Sequence, residues 1–432
     1  MLTESLLGEG SGIYRTTLPN GIRVISETIP GIQSETVGVW VGSGSRDETD
    51  DNAGSTHFLE HMLFKGTATR SAKDIARTFD RTGGEANAMT AKECTAYYSR
   101  CLVTDLPDVC ATLWDMVLSS TLDIDEFERE RTVILDELAM GADDPEDVLF
   151  ESYDELIYAG SPLGRPVGAT KERIQALVYD ELLHHYRDAY VGPRLIFSAA
   201  GGADHEDLVD LVWRATQHLP EAANHAATTS GRVTPVFSPG ERHIARPTEQ
   251  QGIIMGVAGL HDGHDDRFTL TVLASLLGGG MSSRLFQTVR EERGLAYAVH
   301  TTGSQYSDVG DFGIYAGCAP AVAQQVVDLC VEQCQRLASD GPMSAEVADT
   351  AAQVSAATVL GMESTAVRMN RLAKSELSNR PLVDAAELVE RVRGVTAEDV
   401  QALAQRLFSG PWALCSLGPA ENVRLRYEHL AS

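Results

Sequence analysis

The chain has 432 residues, more than one core usually serves, so two or more domains are expected. With 43% hydrophobic residues it can bury sizeable cores, while a net charge of −27 argues against nucleic acid or an anionic membrane as partner and favours basic ligands. No 18-residue apolar stretch occurs and the first residues, Met1 to Glu9, carry no basic segment, so a soluble, unexported, cytoplasmic protein is expected.

In chain order, residues 14–27 alternate around Pro19-Asn20-Gly21, a strong hairpin signal. Residues 36–42 (Thr-Val-Gly-Val-Trp-Val-Gly) read as a strand, and 43–52 as a polar connection. A helix then begins at a polar turn and carries His57-Phe58-Leu59-Glu60-His61. Residues 71–82 predict a helix capped by Ser71 and stopped by Gly83-Gly84. Strand patterns follow at 85–90 and 95–102, then long helical patterns at 105–119, 125–140 and 145–158. A strand at 196–200 and a helix at 205–218 close this part. Strands and helices cluster rather than strictly alternate, which favours an α+β fold over a doubly wound one.

Between His218 and Glu241 the composition turns to Ala, Thr, Ser, Pro and Gly, the best linker in the chain. It divides the sequence into 1–218, a linker 219–240, and 241–432. The two parts resemble one another: Gly84-Glu85-Ala86-Asn87-Ala88 matches Gly294-Leu295-Ala296-Tyr297-Ala298 at an offset of 210. Each match follows a helical pattern (71–82; 282–293) and precedes strand signals and a long helix (105–119; 320–338). Two related halves are therefore expected, each a mainly antiparallel sheet with helices packed on one face. The triple glycine Gly278 to Gly280 ends a helix over 266–277 and lets the next begin; no Gly-Lys-Ser/Thr follows to make it a phosphate loop.

Residues four apart share a helix face, so His57 and His61 can offer two imidazoles to one ion, with Glu60 on the same side. Zinc held by neutral imidazoles lowers the pKa of water to about 7, and an adjacent carboxylate can take the proton. The order His-x-x-Glu-His is the zinc-protease His-Glu-x-x-His read backwards. At the offset of 210 these three positions fall on Arg267, Leu270 and Thr271, so only the first half carries a metal site. A third ligand can come from the helix over 125–140, where Glu130 and Glu137 are seven apart and share a face. Their chemistry alone does not say which of the two coordinates. The pairs His184-His185 and His261/His264 have no third ligand in sight and read as structural or exposed. The seven cysteines are odd in number and lack a Cys-x-x-Cys pair, as in a chain of reduced, buried thiols. Between Thr121 and Glu155 fourteen acidic residues face only Arg129 and Arg131. Such a run is a solvated helix face first, and a device for steering a basic substrate second.

His57-Phe58-Leu59-Glu60-His61-Met62-Leu63-Phe64-Lys65-Gly66-Thr67, followed by Glu130 and Glu137, resembles the pitrilysin/insulinase-like zinc metallopeptidases. The closest resemblance is to the subgroup of mitochondrial processing peptidase and its bacterial relatives. The 75 residues between His61 and Glu137 match that family's spacing to the third ligand. The resemblance implies one zinc per chain on His57, His61 and Glu137, with Glu60 as general base and Glu130 orienting a ligand. It implies that Arg290 and Tyr297, from Arg290-Glu291-Glu292-Arg293-Gly294-Leu295-Ala296-Tyr297, bind substrate and donate to the oxyanion. It also implies that 83–90 is a substrate-binding edge strand, with Asn87 and Ala88 on the peptide backbone. The expected activity is that of a zinc endopeptidase on extended, basic, presequence-like peptides or unfolded segments, in a homodimer. The alternative is a non-catalytic assembly or interaction subunit of a processing-peptidase-like complex; such subunits lose zinc ligands, and this chain retains them.

Overall fold

The computed structural model describes residues 1–8, 10–222 and 232–425. Residues 223–231 of the linker thus lie outside the described residues. Two compact units are formed. The first comprises Met1–Ala139, Arg165–Arg232 and Leu360–Val383; the second comprises Met140–Gly164, Val233–Val359 and Asp384–Ser432. Among the described residues no helix is long and apolar enough to cross a membrane.

The first unit is built on a seven-stranded sheet of β1 (Leu2–Ser5), β2 (Ile13–Thr17), β3 (Arg23–Thr28), β4 (Ser34–Val41), β5 (Glu85–Thr90), β6 (Thr95–Leu102) and β7 (Leu195–Gly201), in the order β1-β2-β3-β7-β4-β6-β5. All pairings are antiparallel except β3 with β7. The hairpin at Pro19-Asn20-Gly21 joins β2 to β3 as its turn residues predict. Alternation decides the faces. Val37, Val39 and Val41 point into a core with Phe58, Leu59, Leu113, Trp114, Leu208 and Val212, from three helices of the first half. On the other face Trp40, Ile25, Ile196 and Ala200 meet Met369, Leu372 and Ala373. These belong to the helix Thr365–Leu377, which comes from the second half of the sequence.

The second unit repeats this plan with five strands, β8 (Gly240–Ala245), β9 (Gln251–Ala258), β10 (Ala296–Thr302), β11 (Asp311–Cys318) and β12 (Trp412–Gly418), in the order β10-β11-β9-β12-β8. Here β12 and β8 are the parallel pair. Ile253, Met255 and Val257 face Leu273, Leu277, Val326 and Leu403 of the unit's own helices. Ile254, Tyr315 and Cys415 face Leu149, Tyr153 and Ile157 of the helix Pro145–Ile157. Each sheet therefore has its own half's helices on one face, as expected, and on the other face one helix from the opposite half. Fully burying a side chain such as Leu372 or Leu149 stabilises by roughly 1.5–3 kcal/mol, so these two helices are integral parts of the units they cover. All seven cysteines are free, six of them buried.

Candidate metal centre

The helix carrying the two histidines spans Ser55–Met62. It starts at Gly54, whose φ of 94° lies in the left-handed region, and a Cβ there would come within 2.6 Å of Ile174 Cδ1, so glycine is required. Phe58, Leu59 and Met62 are buried on one side, while His57, Glu60 and His61 remain half-buried on the other. Facing it is the helix Ile124–Asp143, anchored by buried Phe127 and Ile134. Phe127 stacks on Phe58 with ring centroids 4.5 Å apart. This apolar contact docks one helix on the other and carries the two glutamates to the histidines.

Glu137 Oε2 lies 3.8 Å from His57 Nε2 and 3.4 Å from His61 Nε2. One donor atom from each of His57, His61 and Glu137 lies within 4.8 Å of the others, and they are the one such His/Cys/Asp/Glu group among the described residues. The buried Glu130 takes a different position. One of its oxygens is 3.2 Å from His61 Nδ1 and the other 2.6 Å from Lys65 Nζ. With Nδ1–H donated to a carboxylate, His61 has its Nε2 lone pair free for an ion. Seven residues, nearly two turns, thus separate a glutamate directed at both imidazoles from one directed at the back of a single ring. Glu60 Oε2 accepts a hydrogen bond from the hydroxyl of Thr90, at the end of β5.

The donor set fits zinc. Two imidazole nitrogens and one carboxylate oxygen are the ligand set of many catalytic zinc sites, and tetrahedral zinc holds two such ligands roughly 3.4 Å apart. His57 is pushed below the ordinary histidine pKa, first by burial and then by the neighbouring His61, with Glu60 and Glu137 opposing. Both causes favour the neutral ring that a metal needs.

Asn87 and Ala88 lie on β5, which among the described strands pairs only with β6 and so forms a sheet edge. Asn87 is exposed, and its Oδ1 accepts the Ala88 N–H at 2.8 Å. Arg290 and Tyr297 belong to the second unit. Arg290 sits on a π-helical turn, Phe286–Glu291, with its guanidinium over the Phe286 ring at 4.7 Å. Such turns are rare and gather at functional sites. Tyr297 is 55% exposed on the edge strand β10, at a bulge where Ala296 pairs with Cys318 and Ala298 with Gly317. Its ring lies over Gly317, where a Cβ would come within 2.6 Å of the ring and hydroxyl.

Sequence reasoning quoted Lys65 within the histidine motif and included position 90 in the edge strand but gave neither a role of its own, and it did not single out Glu48. Lys65 is four residues past His61, which was a usable signal. Thr90 and Glu48 reach the site only through the fold. Glu48, 5% exposed, accepts hydrogen bonds from the backbone N–H of Gly54 at 2.8 Å and of Thr56 at 2.7 Å. Burial pushes its carboxyl up to about 7 against those bonds.

Residues 23–171 match the family profile described as "Insulinase (Peptidase family M16)", and 176–354 match "Peptidase M16 inactive domain". A relative from Streptomyces coelicolor is 40% identical over 99% of this chain and 95% of its own length. One from Mycobacterium tuberculosis is 39% identical over 95% of this chain and 94% of its own, and one from Bacillus subtilis 36% over 95% and 99%. Each bears the name uncharacterized zinc protease. Among solved structures, a protease from Helicobacter pylori superposes with a TM-score of 0.86 at 21% identity, over 94% of this chain and 99% of that one. A Pseudomonas fluorescens chain described as a peptidase M16 inactive domain gives 0.87 at 18%, over 96% and 100%. At these identities the two structures speak for the fold.

Proposed function

The chain belongs to the M16 insulinase-type peptidase family, whose relatives here are named zinc proteases, and from that membership we propose that it is a zinc-dependent endopeptidase. The observation that carries the proposal is the meeting of His57, His61 and Glu137 around one point, with Glu60 alongside on the same helix. His57, His61 and Glu137 would hold one zinc, which when bound supplies a Lewis acid that lowers the pKa of water towards 7. Glu60 accepts the proton of the attacking water and returns it to the leaving amine. The Thr90 hydroxyl, donating to Glu60, fixes the direction of that carboxylate. Glu130, held by Lys65, receives His61 Nδ1–H and keeps the ring in the tautomer that presents Nε2. Arg290 and Tyr297 donate to the developing oxyanion of the substrate carbonyl.

Substrate enters this reading as an extended peptide added to the edge of β5, with Asn87 and Ala88 on its backbone. The net charge of −27 favours basic peptides. Residues 1–218 form the zinc-bearing half, 241–432 the half that supplies substrate contacts, and the working protein is a homodimer. The test is Glu60→Gln. Peptide hydrolysis is expected to fall by about 10²–10⁴-fold with zinc content unchanged. Full hydrolysis by the variant would refute the general-base role, and no hydrolysis by the wild type with zinc bound would favour a non-catalytic subunit.

A further inference from the structure

The two imidazoles of the metal centre are held differently. His61 has a carboxylate on its far nitrogen, Glu130 at 3.2 Å. The far nitrogen of His57, Nδ1, is buried and has no hydrogen-bond partner among the described residues. The direction in which His57 presents Nε2 therefore depends on where the first turn of its helix stands. That turn is poorly equipped to hold itself. The residue before it, Gly54, has no side chain for a cap, and the Ser55 hydroxyl is buried without a partner. The helix has only eight residues, so a shift of its start is a shift of His57.

The Asn52 carbonyl accepts from the Ser55 N–H at 3.0 Å and the Thr56 hydroxyl is 3.0 Å from His185 Nε2; the N–H groups on either side of Ser55 are held by Glu48. Its two oxygens accept from the N–H groups of Gly54 and Thr56, two of the donors that a helix start otherwise leaves unpaired. A carboxylate there also opposes the positive end of the helix dipole. Glu48 is itself anchored, because Arg165 donates from Nη2 to the Glu48 carbonyl at 2.6 Å and from Nη1 to Asp50 at 2.6 Å. We propose that Glu48 is a positioning residue of the metal centre, acting through the first turn of the histidine helix to aim His57 at the ion. The proposal rests on the zinc reading above.

The test measures zinc affinity by chelator competition on purified protein, beside thermal melting and steady-state kinetics. Glu48→Gln can accept only one of the two N–H groups. It is expected to melt cooperatively, to bind zinc about 10-fold more weakly, in line with other residues that orient metal ligands, and to lose kcat with KM little changed. Wild-type zinc affinity in folded Glu48→Gln would overturn the proposal. If that variant does not fold, Arg165→Gln decides. It loosens the anchor without touching the cap, and is expected to weaken zinc binding several-fold; unchanged affinity there overturns the proposal. The wild type and His57→Ala are measured alongside. If they bind zinc alike, the metal-centre reading fails and the role of Glu48 falls with it; if His57→Ala loses zinc while folded Glu48→Gln binds it as the wild type does, only the role of Glu48 fails.

Discussion

Laid side by side, the two sheets follow one plan. The run β3-β7-β4-β6-β5 of the first corresponds to β8-β12-β9-β11-β10 of the second, with the one parallel pair at the same place and an exposed edge strand at the same end. What differs is the helix that follows the central strand. In the first half it presents His57, Glu60 and His61, half-buried and polar; at the offset of 210 the second half has Arg267, Leu270 and Thr271, and Leu270 is buried in the core. A buried leucine contributes to stability, whereas two histidines and a glutamate crowded together do not. The same scaffold thus carries a chemically costly cluster in one copy and ordinary packing in the other, so the cluster is not needed for the fold.

The strongest way to break this contrast is to remove one proposed metal ligand and its counterpart. His61→Ala is expected to abolish zinc binding and lower peptide hydrolysis by more than about 10³-fold, given the share of catalysis that metal and base carry, while Thr271→Ala leaves both unchanged. Metal analysis with a peptide digest reads the difference; zinc retained in His61→Ala would remove the asymmetry. A smaller effect sharpens what the second half adds. Arg290→Ala is expected to lower kcat by about 10²–10³-fold, the scale for losing one oxyanion donor, with zinc content unchanged. Equal kcat would leave the π-helical turn without a catalytic purpose.

The smallest effect concerns what the halves share. Each sheet has a buried carboxyl that desolvation pushes up: Glu35 on β4, which accepts from the Ala203 N–H and rises to about 8, and Asp311 on β11, which rises to about 7 by desolvation and then by Asp154. Unfolded, both titrate near 4. The folded state therefore holds these protons more tightly, so their contribution to stability is complete below pH of about 4 and is lost as pH rises, through about 7 for Asp311 and about 8 for Glu35. Urea midpoints across that window should fall less steeply in Asp311→Asn and Glu35→Gln than in the wild type. Slopes identical to wild type would mean that neither carboxyl carries its proton into the folded state.

Local elements were readable because their signals are local. The turn at Pro19-Asn20-Gly21, the Ser71 cap with its partner Asp74, and the 3.6-residue spacing of Phe127 and Ile134 each lie within a few residues, and the structure has the hairpin, the capped helix and the glutamate helix. Chain pattern alone left Glu130 and Glu137 equivalent, since both project from one face of one helix. The Phe58–Phe127 stack and the Lys65 ammonium separate them, and neither is a property of that helix. The helix Pro145–Ile157 was legible as a helical pattern over 145–158 and the helix Thr365–Leu377 was not singled out; neither carries a mark of which sheet it covers.

Residue order was sufficient to bring out the candidate ligands: two imidazoles a turn apart, a carboxylate between them and acids on a later helix are set by spacing along one backbone. Which oxygen meets which nitrogen, that Glu48 caps a helix six residues ahead of it, and that each sheet borrows a helix from the opposite half required the folded chain. Those contacts join segments distant in sequence, and their energies come from burial and from hydrogen-bond geometry that exists only after the sheets have formed.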